Sequence, residues 1–130
     1  RRAARAAWDA RLTVAANDAR WVEGSLVPDV LRAGTAAEAS AVWTAGRPRV
    51  LGIDAELYDL ASTAPDEERA AYAALIQERL RALSSAVDVD ASSGADTDVE
   101  RLRAARGAID QARADLRAAL DSPVQPGPVT

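Results

Sequence analysis

Apolar residues fall at Trp8, Leu12, Ala15, Ala19, Val22 and Leu26, in steps that alternate four and three. That spacing is the seam of an amphipathic helix, which we call helix one. Val14 and Trp21 widen the face on one side, while Arg5, Arg11, Asp18, Arg20 and Glu23 stay off it. Pro28 lacks an amide hydrogen and crowds the carbonyl four residues back, so it predicts a kink or a restart after Leu26-Val27. Val30 and Leu31 continue the face as far as Gly34, which has the character of a C′ residue.

Thr35-Ala36-Ala37-Glu38 has the form of a capping box, and losing the Thr35 hydroxyl is expected to cost about 1 kcal/mol. The second seam, Trp43, Gly46, Val50, Ile53, Leu57 and Leu60, keeps its phase straight through Pro48. This predicts one Pro-kinked helix from about 36 to 61 rather than two. Ser62, Thr63, Pro65 and the acids 66–68 then signal a helix start. Helix three follows with Tyr72, Ile76, Leu80, Leu83 and Val87 on its seam, and is expected to end in a polar loop over 88–96. Thr97-Asp98-Val99-Glu100 reads as a second capping box, before helix four with Leu102, Ala105, Ile109, Ala112, Leu116 and Ala119.

Short turns near 34 and 63 make successive helices antiparallel neighbours. The predicted fold is therefore all-α: an antiparallel up-down-up-down four-helix bundle over residues 1–121, with helices one and two kinked at proline and both chain ends at one end of the bundle. Residues 122–130, rich in Pro and Gly, read as a flexible tail. A chain of 130 residues can bury a core of its own, which here must be narrow and lined with Ala, since Phe and Met are absent.

Charge alters the picture little. Asp and Glu number 20 against 16 basic residues, a net charge of −4, and the cations are interleaved with acids instead of forming a stripe, which argues against a nucleic-acid partner. Every basic residue is Arg, as expected of a G+C-rich genome. With no His, Cys or Lys, the chain has no triad, no activated thiol and no Glu-x-x-His metal motif. The acids at Asp54, Glu56 and Asp59, and at Asp88, Asp90 and Asp96, read as solvated surfaces with no calcium-loop spacing. No catalytic residue, cofactor or metal is expected.

The one irregular stretch is Trp43-Thr44-Ala45-Gly46-Arg47-Pro48-Arg49. Folding helix one on helix two sets Gly24 level with Gly46, Trp21 with Pro48, Leu26 with Trp43, Glu23 with Arg47 and Arg20 with Arg49. Trp21, Glu23, Trp43, Arg47 and Arg49 thus form the candidate site, with guanidiniums beside indoles for an anionic or aromatic ligand. Trp43 to Gly46 resembles the Trp-x-Gly turn of a family of small helical secretion proteins. It is one residue longer, lies inside the helical phase and lacks that family's terminal Tyr-x-x-x-Asp/Glu signal, so no family is assigned.

The function expected is that of a non-catalytic interaction or sensory module, with an unknown protein or small ligand as partner. A structural protein that self-associates as a homodimer through an apolar helix face is the alternative. Arg1 in place of Met suggests a piece of a longer, membrane-tethered or secreted chain that meets a membrane only through segments outside these residues; the Pro-rich tail and shared end of the termini favour an extracytoplasmic setting, whereas Arg1, Arg2 and Arg5 favour a cytoplasmic one if a span lies just upstream.

Overall fold

A computed structural model describes residues 1–92 and 98–122, and over these the chain is all helical. α1 (Arg2–Trp21) passes without a break through a π-helical turn (Val22–Leu26) into α2 (Val27–Arg32). α3 (Ala36–Ser62), α4 (Glu67–Ser92) and α5 (Val99–Asp121) complete four helical rods consistent with a bundle.

The seams are what the rods bury. Trp8, Leu12, Ala15, Ala19, Val22 and Leu26 join Trp43, Val50, Ile53, Leu57 and Leu60 in one core with Ile76, Leu80, Leu83, Val87, Ile109, Ala112 and Leu116. Gly46 is placed by the same phase, and there the backbone of α3 comes against Leu26: a Cβ on Gly46 would lie 2.6 Å from Leu26 Cδ1. Gly24, expected to be its counterpart, would meet nothing within 4 Å and plays no part in the approach.

The π turn has a local cause. Val27 N–H reaches back to the Val22 carbonyl, five residues away. By the same spacing the Glu23 carbonyl would accept from residue 28, but that residue is Pro28, which has no amide hydrogen. Arg113 Nε of α5 donates to the Glu23 carbonyl at 3.0 Å instead. Pro28 itself sits in the first turn of α2, where a missing donor costs least. Pro48 lies inside α3 on its exposed side.

Helix ends leave carbonyls without amide partners, and neighbouring helices supply the donors. Trp8 Nε1 donates to the Leu60 carbonyl at 2.9 Å and Arg20 Nη2 to the Leu120 carbonyl at 2.9 Å, while Tyr72 Oη donates at 3.2 Å to the Ala119 carbonyl, which also accepts from the Ser122 amide at 3.3 Å. Arg20 also pairs with Asp121 at 2.8 Å, so α5 ends beside the later part of α1 and not beside Arg1. The tail expected to meet Arg1, from 123 on, lies outside the described residues. Arg1 to Ala7 are exposed throughout.

Four further details depart from expectation. Gly34 is not left-handed: Ala33 ends α2 with φ −59° and ψ 140°, and the Gly34 amide donates to Glu38 Oε2 at 3.1 Å while Thr35 Oγ1 accepts from Glu38 N–H at 3.1 Å. Ser62 and Thr63 hydroxyls bond back to Tyr58 and Asp59 carbonyls, closing α3, and the start of α4 is capped by Asp66, which accepts from Arg69 N–H at 2.8 Å. α4 continues to Ser92 instead of fading at 88, because Asp88 and Asp90 have partners on α3 and α5. Asp98, not Thr97, caps α5 by accepting from the Glu100 and Arg101 amides; Thr97, the rest of the 93–97 stretch and the tail from 123 lie outside the described residues.

Two outcomes follow for stability. Gly52 and Gly107, open to space and inside helices, should each gain up to about 1 kcal/mol when changed to Ala, whereas Gly46→Ala should lose stability because buried Leu26 must move; urea unfolding of the three variants checks this. The Asp66 carboxyl is held below the usual range by the Arg69 amide and then by its guanidinium. Its stabilising effect is present at neutral pH and fades as the pH falls through its lowered value. The gap between wild type and Asp66→Asn in urea midpoint should therefore close below about pH 4.

Candidate functional site

The five residues singled out by the sequence do not converge. They fall into three groups, each tied to a different pair of helices. Trp21, half-buried in the last turn of α1, lies under the Arg49 guanidinium at 3.9 Å from ring centroid to Cζ, and Arg49 also pairs with Asp18 at 3.3 Å. This is a cation–π contact backed by a carboxylate, between α1 and α3.

Trp43 is buried, and its indole N–H donates to Asp88 Oδ1 of α4 at 2.7 Å. Arg47 reaches the other oxygen of Asp88 at 3.5 Å. The pair of residues read as a ligand clamp is thus spent on one carboxylate, and it holds α3 to α4.

Glu23 stands apart from both. Its place in the π turn leaves it only 5% exposed, and Arg117 of α5 holds its carboxylate at 2.9 Å through Nη2 and 3.0 Å through Nε. Proximity to Glu23 raises the Arg117 pKa further above its ordinary value, first through the hydrogen bond and then through charge. Arg113, one turn earlier, takes the backbone carbonyl of the same residue. The pair expected between Glu23 and Arg47 is not formed, and neither is a meeting of Arg20 with Arg49. A signal for the true pairing was present: Glu23 follows Arg20 by three residues, on the side of α1 away from Asp18, and Arg113 and Arg117 are four apart on α5.

What the sequence reading missed is the groove between α1 and α3, a cleft of about 550 Å³. Its floor is apolar, from Val14, Ala15, Gly52 and Ile53. Arg11 with Glu56 bounds one end, and Asp18 with Arg49 the other. Arg11 also reaches Asp59 at 2.7 Å, and these carboxylates raise its pKa, Asp59 foremost. Val14 is 61% exposed, and a Cβ on Gly52 would meet nothing within 4 Å. The signal here was a repeated spacing, cation, small apolar residue and acid at steps of three and four, in Arg11-Val14-Asp18 and again in Arg49-Gly52-Glu56.

Each guanidinium around the groove already has a carboxylate partner within the chain. Among the described residues no group of three or more His, Cys, Asp or Glu is placed to hold a metal ion, and no described helix is long and apolar enough to cross a membrane.

Removing the Arg117 head by Arg117→Met strands a buried carboxylate, whereas Arg81→Met breaks only the pair with Asp54 at the α3/α4 surface. The urea midpoint should fall clearly further for Arg117→Met than for Arg81→Met. Comparison with family models, with curated proteins and with solved structures finds no match to this chain.

Proposed function

We propose that this domain is a non-catalytic helical interaction module that presents the α1/α3 groove to a protein partner. In this reading the rods form an antiparallel up-down-up-down bundle, bent at Pro28 and Pro48. Support for the order comes from cross-helix pairs whose numbers fall along one helix as they rise along the other: Trp8 with Leu60, Arg11 with Glu56, Asp18 with Arg49, and then Trp43 with Asp88 and Asp54 with Arg81. The bend at Pro28 is supported by the π turn just before it.

The observation that carries the functional reading is the groove itself, with its apolar floor and a charged pair at each end. Apolar surface left open between two packed helices, rimmed by charge, is the composition of a protein interface: an apolar centre and a polar rim. The chain's lack of His, Cys and Lys fits binding better than reaction.

The absence of cysteine makes the test direct, because one introduced thiol is unique. Gly52→Cys places it in the groove and Gly107→Cys places it on the exposed side of α5, both in open space. Each variant is labelled with a benzophenone maleimide, irradiated in native extract together with unlabelled wild type, and analysed by mass spectrometry. A discrete protein adduct from position 52 and not from 107 is expected. Equal adducts at both positions, or none at either, would sink the proposal.

A further inference from the structure

The two helices that wall the groove carry the same order of chemistry. α1 runs cation, apolar residue, carboxylate in Arg11, Val14 and Asp18, and α3 runs the same way in Arg49, Gly52 and Glu56. Arg11 lies beside Glu56 and Asp18 beside Arg49, so the two orders are set head to tail. The four charges at the corners of the groove therefore alternate in sign around its rim.

From this alternation we infer that the occupant of the groove is a second copy of this chain, packed face to face about a two-fold axis. The inference rests on the groove being an interaction surface, and goes beyond that reading by naming the partner. A face-to-face pair related by a two-fold has its axis in the plane of contact. With the axis along the helices, Arg11 of one copy lies over the partner's Glu56 and Asp18 over the partner's Arg49. With the axis across them, Arg11 lies over the partner's Asp18 and Glu56 over the partner's Arg49. In both settings every corner meets its opposite, so a second copy is complementary in charge.

Two other properties of the face agree. Its four corner charges balance, two cations against two carboxylates, and with Asp59 behind Arg11 the rim carries −1 of the chain's −4, so this face adds little like-charge repulsion to a homodimer. Between the corners, Gly52 presents no side chain to hold the backbones apart, and Val14, 61% exposed in the single chain, gains cover.

The test exploits the symmetry. A variant reversed around the rim (Arg11→Glu, Asp18→Arg, Arg49→Glu, Glu56→Arg, and Asp59→Arg to follow Arg11) keeps opposite charges paired within the chain and keeps the alternation. Helicity by circular dichroism verifies its fold. Wild type and reversed chain should each sediment as a dimer, yet mixed dimers of the two, separated by a tag on one, should fall at least about tenfold below the statistical share because every corner meets its like. As a second probe, Gly52→Trp should fill the groove and sediment as a monomer, while Gly107→Trp on α5 stays dimeric. A wild type that remains monomeric up to about 1 mM, mixed dimers at the statistical level, or an undiminished Gly52→Trp dimer would each overturn the inference. If wild type is monomeric while position 52 crosslinks to a different protein, this inference fails and the interaction module stands.

Discussion

A carbonyl oxygen at the end of a helix, or where a helix widens, has no amide to accept from, and in this protein those oxygens are the points by which helices hold one another. Trp8 takes the Leu60 carbonyl in the last turn of α3, Arg20 takes the Leu120 carbonyl in the last turn of α5, and Arg113 takes the π turn, while Tyr72 shares the Ala119 carbonyl with the Ser122 amide. The core they frame is not the Ala-lined one that composition suggests: Leu, Ile, Val and the indoles of Trp8 and Trp43 fill most of it, with Ala at Ala15, Ala19, Ala73, Ala112 and Ala119. Directional bonds from long side chains to fixed carbonyls add to the register that this packing imposes.

Pro28 sits at the origin of the most developed of these contacts. Its missing amide leaves the Glu23 carbonyl open, the π turn brings Glu23 into the interior, and the four-residue spacing of Arg113 and Arg117 lets one face of α5 answer both the carbonyl and the carboxylate. A residue at the start of α2 thus leaves open the Glu23 carbonyl, which Arg113, ninety residues on from Glu23, takes up. The π turn is a means of docking rather than a mark of chemistry.

How much of this was legible follows from periodicity. Every apolar seam position from Trp8 to Leu26 is buried, and the phase that runs through Pro48 does correspond to one unbroken helix, because burial repeats every three or four residues whatever the partner. Side-chain pairing was not legible to the same degree. A straight-helix register set Glu23 opposite Arg47, whereas Glu23 faces α5 and Arg47 finds Asp88. Hydroxyls at Ser62 and Thr63 were read forwards as caps and act backwards on α3, since a Ser or Thr can accept from amides ahead of it or donate to carbonyls behind it with nearly equal ease. The groove went unread because its signal is a relation between two helices, visible in each only as an ordinary charged flank.

The exposed start of α1 differs in kind from the rest. From Arg1 to Ala7 no side chain reaches the core, so order there depends on Ala-rich helix propensity and on the continuation of the helix past Trp8, where the indole bond to Leu60 anchors it. The protein thus has two regimes: a body in which opening one helix costs the contacts of its neighbours, and a leading pair of turns that could open alone without breaking a core contact, with Trp8 as the boundary.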